Sequence, residues 1–216
     1  MGIKIFISPS NQNANTYAAG GTNEYEQCKQ IGLLTQEALN RCGFETMLEC
    51  EPTMQVRVAH SDAWGADMHL AIHTNAAGSA AGGTQVYYGQ NKEAAAAVFN
   101  ALAPITPGSS AEVYRQNSGL YEVSKPKAIS VYVEAEFHHV KSQAQWIVDH
   151  KLEIAEAICK GICVYYKVKY VEPAKPEKHA GKLYRVQVGA FSVKENADAY
   201  VKKLKADGYD AFIVEV

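Results

Sequence analysis

Between residues 3 and 166 short β-rich runs alternate with stretches of helical periodicity, and that alternation restricts the fold more than any other feature of the chain. IKIFI, near the start, reads as a strand. A helix follows from about Asn23 to Cys42, where Asn23 and Glu26 form a capping box and Gly43 supplies the stop. FETML, DMHLAIH, TQVYY, GLYEV and ISVYVEAEF read as further strands, which makes six. TMQVRVAHSDAW, KEAAAAVFNALA and the long SQAQWIVDHKLEIAEAICKGICVYY read as helices. Such a pattern predicts an α/β domain, a sheet covered by helices on both faces. In sheets of this kind ligands gather at the carboxyl ends of strands.

The bulk numbers agree with one ordinary domain plus a small appendage: 216 residues, 47% hydrophobic and 20% charged. A formal charge of −2 gives no basic face for nucleic acid, and no apolar run nears the roughly 20 residues that span a bilayer. MGIKIFISPS reads as a strand and not as a signal peptide, so synthesis in the cytoplasm is expected, unless a leader has been trimmed. The five cysteines include no Cys-x-x-Cys pair and are expected to be reduced core thiols.

Composition changes at VEPAKPEKHAGK, residues 171–182, a linker rich in proline, lysine and glutamate. Before it lies the main domain, residues 1–170. After it, residues 183–216 read as a β-α-β unit: LYRVQVGAF, the amphipathic KENADAYVKKLKADG, and YDAFIVEV. A unit of that size is hard to stabilise alone.

Three segments carry candidate chemistry. His73 ends the apolar run MHLAIH and is followed at once by small, turn-forming residues, as befits a site at a strand end. Glu24 falls in the first turn of the helix that follows the polar loop SPSNQNANTYAAGGTN, where it could equally just complement the helix dipole. In VYVEAEFHH the alternation puts Tyr132, Glu134, Glu136 and His138 on one face. Carboxylates beside an interior strand cost several kcal/mol unless compensated. A metal ion held by histidine and carboxylate, with an unliganded glutamate as general base, would compensate them.

With those residues in view, the chain resembles the zinc-dependent N-acetylmuramoyl-L-alanine amidases, peptidoglycan hydrolases of bacteria and their phages. FISPSN stands where that family has a strand ending in Asp-Pro-Gly-His, WGADMHLAIHTNAAG is similar to its Ile-His-x-Asn segment, and SGLYEVSKPKAISVYVEAEF to the segment ending in a Val-Glu-x-Gly-Phe turn. The resemblance implies a twisted, mostly parallel six-stranded sheet flanked by helices, one zinc ion held by Glu24 and His73, and Glu134 as the catalytic carboxylate. Asn75 is a candidate for positioning substrate or for capping its turn, and Glu136, where the family has glycine, for touching substrate or metal. The tail resembles one sporulation-related (SPOR) repeat, which implies glycan binding. Either two tails pair into a homodimeric domain, or the lone unit is loosely ordered, or it packs on its own catalytic domain.

One departure matters. Simple register puts Asn11 where the family has its first metal-binding histidine, and an amide oxygen is a poor zinc donor beside imidazole. Asn11 or Gln12 could ligate through oxygen, His138 could supply the missing nitrogen, or the site could be degenerate and the protein a silent wall-binding module. The expectation is a metal-dependent amidase of peptidoglycan, endolysin-like or acting in sporulation. A zinc peptidase of other amides is a further alternative.

Overall fold

The structure, a computed structural model, describes residues 2–77, 82–108, 112–174, 186–206, 209 and 211–215. Among the described residues six strands are present: β1 (Lys4–Pro9), β2 (Glu45–Leu48), β3 (Met68–Asn75), β4 (Gln85–Tyr88), β5 (Val113–Gln116) and β6 (Ile129–Phe137). The helices are α1 (Glu24–Arg41), α2 (Met54–Trp64), α3 (Lys92–Leu102), α4 (Tyr121–Ser124), α5 (Lys141–Asp149), α6 (Lys151–Tyr166) and α7 (Lys194–Ala206). The strands form one sheet in the order β2-β1-β3-β6-β4-β5. Only the β4–β6 pairing is antiparallel. The chain divides into Met1–Pro173 and Ala174–Val216, so Val171, placed in the linker by composition, belongs to the first unit. Residues 175–182 of that linker lie outside the described residues.

Side chains of alternate strand residues go to opposite faces, and the two faces differ in kind. Ile5, Ile7, Met68, Leu70, Ile72, Val131, Val133 and Ala135 join the large apolar core with residues of α1, α3, α5 and α6. Gly161 of α6 is needed there: a Cβ would lie 2.5 Å from Val98 Cα and 2.8 Å from Ala97 O of α3. The other residues of the same strands include Phe6, Ser8, His69, Ala71, His73, Tyr132 and Glu134. They lie on the side of α2 and α4, where Ala71, Tyr87, Val123 and Tyr132 make a second, small apolar cluster. That face holds most of the buried charge.

The structure corrects three expected elements. GLYEV does not extend as a strand: Tyr121–Ser124 form the one-turn helix α4, which turns Glu122 into the protein. The sixth strand is instead β5, four residues at the sheet edge whose polar VYRQ gives little alternating signal. The long C-terminal helix is broken at His150, whose backbone (φ −120°, ψ 29°) is not helical, into α5 and α6. In the C-terminal unit the helix appears as α7, while the described residues of the flanking apolar runs form no ladder. Val186, Val188, Phe212 and Val214 are exposed there.

Candidate active site

The site is assembled at the carboxyl ends of β1, β3 and β6 and the start of α1. Asn23 caps α1 by accepting the Glu26 N–H at 2.9 Å, while Glu26 itself turns back to Thr22 Oγ1 at 2.6 Å. Only half of the expected capping box therefore forms. This cap fixes Glu24 as the first helical residue, where the positive end of the helix favours a carboxylate. Asn15 secures it twice: its carbonyl accepts the Glu24 N–H at 2.9 Å and its amide donates to Glu24 Oε2 at 2.6 Å.

Glu24 Oε1 lies 2.9 Å from His73 Nδ1. The His73 ring stacks on Tyr132, centroids 4.4 Å apart, and its Nε2 points to Glu122 Oε2 at 3.8 Å, an ion-pair separation too long for a hydrogen bond. Across the β3–β6 ladder, His73 pairs in register with Glu134. Glu134 is half-buried, and its Oε2 is buried with no hydrogen-bond partner. Glu24, His73 and Glu134 thus converge, as expected.

The electrostatics are strong. Burial works against the charge of His73, but the carboxylates of Glu122, Glu24 and Glu134 outweigh it and lift the imidazole to about 9. Burial opposes ionisation of Glu24 as well, and His73 and Asn15 more than offset it, so its pKa falls below the usual value. Glu134 goes the other way: burial raises it to about 8, with His73 pulling it down and Glu24 pushing it up. Of the carboxyls beside this imidazole, Glu24 is held ionised, while burial shifts Glu134 toward titration near neutrality.

Behind His73 lies a buried network that sequence reasoning missed. Glu122 accepts from Arg57 at 3.2 Å and lies 3.2 Å from His69 Nε2, and Ser8 Oγ donates to it in a short contact. Arg57, 1% exposed, also donates to the carbonyls of Pro9 and Cys50 at 3.0 and 3.1 Å. Burial opposes the Glu122 charge, but His69, His73, Arg57 and Ser8 hold its carboxyl well below the usual carboxylate range. The usable signals were an arginine inside an otherwise weakly patterned helix and two histidines four residues apart on one face of β3.

The remaining candidates fall outside this constellation. Asn11 is exposed and its amide donates to Pro52 O at 3.2 Å, away from His73. Gln12 takes the position instead, its amide nitrogen 3.4 Å from His73 Nδ1 and its oxygen accepting from Asn15 at 2.9 Å. His138 does not supply the missing nitrogen. It follows the end of β6, lies 3.0 Å by Nδ1 from Thr74 Oγ1, and stacks on Tyr17 at 5.1 Å. Thr74 points to the face opposite His73, which is why alternation along β6 misplaced His138. Glu136 is fully buried and accepts the N–H groups of Gly83, Phe137 and Gly108 at 2.7, 3.1 and 3.2 Å, so it ties loops together and has no free edge for substrate. The Asn75 amide donates to Gln85 Oε1 at 3.0 Å, the turn-holding alternative.

A divalent cation would find an imidazole nitrogen and a carboxylate oxygen at His73 and Glu24, with the Gln12 amide beside them. Two ligands of a four-coordinate zinc are about 3.3 Å apart, close to the 2.9 Å between His73 Nδ1 and Glu24 Oε1. The partnerless Oε2 of Glu134 shows that the protein alone leaves this site incomplete. The donors fit a cation, with less nitrogen than a site containing two histidines. Among the described residues, Glu24, His73 and Glu134 do not form a triplet with all ligand atoms within 4.8 Å, which leaves Glu134 free of the ligand pair.

The comparisons with known proteins agree with this geometry. The profile of the family described as N-acetylmuramoyl-L-alanine amidase matches residues 5–164, and that of the SPOR domain residues 170–216. The chain is 25% identical over 222 residues to the N-acetylmuramoyl-L-alanine amidase CwlM of Bacillus licheniformis, covering 98% of this chain and 85% of that protein. It is 24% identical over 224 residues to the sporulation-specific N-acetylmuramoyl-L-alanine amidase of Bacillus subtilis (strain 168), covering 98% and 84%. Among solved structures, the catalytic domain of CwlV from Bacillus (Paenibacillus) polymyxa var. colistinus superposes with a TM-score of 0.71 at 19% identity, over 77% of this chain and 99% of that one. AmiC2 of Nostoc punctiforme gives 0.69 at 22%, over 76% and 97%. With the six-stranded sheet of that fold and a profile match across most of its length, the chain belongs to the N-acetylmuramoyl-L-alanine amidase family and carries a SPOR domain at its C-terminal end.

Proposed function

We propose that the protein is a metal-assisted amidase that cleaves the bond between N-acetylmuramic acid and the L-alanine of the peptidoglycan stem peptide. The observation that carries this reading is the partnerless Oε2 of Glu134, a carboxyl that burial raises to about 8, beside the Glu24–His73 pair. His73 and Glu24 would hold the cation, zinc by the family's habit, with the Gln12 side chain beside them. When bound, it supplies Lewis acidity toward the scissile carbonyl and its attacking water. Glu134 takes the proton of the nucleophile and hands it to the leaving amine, a task that favours a carboxyl titrating near the working pH. Glu122 faces Nε2 of His73 and so leaves Nδ1 for the ligand role, while Tyr132 fixes the ring plane.

The C-terminal SPOR unit would hold the enzyme on glycan and raise its local concentration at the bond. A second tail covering Val186, Val188, Phe212 and Val214 would make the protein a dimer, which sedimentation of the full chain tests. Access to the wall would follow lysis or release from the cell.

The test is digestion of purified peptidoglycan. Free L-alanine amino termini should appear, stop on chelation and return with zinc. Glu134→Gln should abolish them while metal stays bound, and His73→Ala should lose the catalytic equivalent of metal. If wild-type protein in excess zinc frees no amino termini, the silent wall-binding alternative, which the Gln12 substitution favours, replaces this reading. Soluble peptides cut as fast as wall material would point to a general zinc peptidase.

A further inference from the structure

The five cysteines are all buried free thiols, but three of them are not spread through the core. Cys42 caps the C-terminus of α1, and Cys159 and Cys163 stand one turn apart on the face of α6 that packs on it. Cys42 Sγ lies 3.7 Å from Cys159 Sγ, which lies 4.0 Å from Cys163 Sγ, and all three sulfurs fall within 4.8 Å of one another. Sulfur ligands about 2.3 Å from a tetrahedral zinc are about 3.8 Å apart. The thiols therefore already stand at the spacing of a thiolate metal site, without the Cys-x-x-Cys signature by which such sites are read from sequence.

Two further features separate this cluster from a chance packing of small side chains. Val171 donates its backbone N–H to Cys42 Sγ at 3.3 Å, the kind of bond that stabilises sulfur carrying negative charge. Arg41 lies at the edge, its Nε donating to Val171 O at 2.9 Å and its guanidinium paired with Glu156 at 2.6 Å. Burial pushes the Cys163 thiol up, and Arg41 is among the groups that pull it back. Glu24 begins α1 and Cys42 follows its last residue, so about 27 Å of helix separates this cluster from the candidate active site.

We propose that Cys42, Cys159 and Cys163 form a structural site for a soft, thiophilic d10 cation such as Zn(II), Cd(II) or Cu(I), which clamps the end of α1 to α6 and to the segment leading out of the first unit. Binding is a proton-for-metal exchange. Three S–H bonds give their protons to solvent as three sulfur–metal bonds form, and no electron changes hands. The site helps to hold the fold and takes no part in hydrolysis.

The experiment is a Cd(II) titration of the full chain after reduction and chelation. A thiolate-to-cadmium charge-transfer band should grow in the ultraviolet and saturate at a single equivalent, with proton release. It should persist in His73→Ala and disappear in the double variant Cys159→Ser, Cys163→Ser. In the wild-type chain, where folding of a variant is not at issue, Cd(II) should protect Cys42, Cys159 and Cys163 together from alkylation, as mapped by mass spectrometry. Absence of the band, its survival in the double variant, its loss with His73→Ala, or alkylation unaffected by the cation would each overturn the proposal. A Cys42–Cys159 disulfide that forms despite the cation would overturn it too, and would make the cluster a redox pair.

Discussion

The two faces of the central sheet share the same strands and are stabilised in opposite ways. On the side of α1, α3 and α6, burial is apolar, and each residue contributes through area and close packing. On the side of α2 and α4, Arg57, His69, His73 and Glu122 are buried as charged or polar groups, and each is tolerated only because the others are present. Conservative apolar changes on the first face should therefore cost less than loss of a partner on the second. The candidate site lies on the second, where burial raises the Glu134 carboxyl and leaves its Oε2 without a partner.

Five measurements break or sharpen that contrast. The largest effect is expected from Glu134→Gln: release of L-alanine amino termini from peptidoglycan should fall by about 10²–10⁴-fold or more, the range of a lost general base, while thermal stability barely moves. Next is Arg57→Ala, which leaves the buried Glu122 without its arginine. Denaturant unfolding should show a loss of about 3–5 kcal/mol, whereas Glu122→Gln with Arg57→Met together should recover part of it. On the apolar face, Ile158→Val should cost only about 0.5–1.5 kcal/mol by the same assay. Gly161→Ala, which changes volume by a single methyl, should cost about 1–3 kcal/mol, because the new atom meets α3 backbone.

The fifth measurement concerns pH. Glu122 has a folded pKa depressed below its unfolded value of about 4.3, so its contribution is fully present above that value and drains away as pH falls below it. Unfolding midpoints should therefore drop on acidification below about pH 4, and Glu122→Gln should flatten the drop. A Glu122→Gln curve that matches the wild type would assign acid sensitivity to other carboxylates.

Glu24, His73 and Glu134 were legible without coordinates because each sits at a place that local pattern marks: a helix start, a strand end, a polar residue within an apolar alternation. Glu122 was not, since a single turn of helix and an edge strand look alike over five residues, and only packing decides which one LYEV adopts. Asn11 and Gln12 differ by one residue in a loop, where no periodicity says which side chain turns inward. His138 was misplaced because the period of two holds only while the ladder continues, and β6 ends at Phe137. The cysteine cluster was invisible for the same reason that the sheet was predictable. Order along the chain, periodicity and caps are properties of neighbouring residues, and the sequence by itself determined the α/β architecture, the helix limits near Asn23 and Gly43, and the segments that carry the site. Contacts between residues 117 positions apart, such as Cys42 with Cys159, and the choice of which carboxyl is ionised depend on burial and on who the neighbours are, and only the tertiary structure decided those.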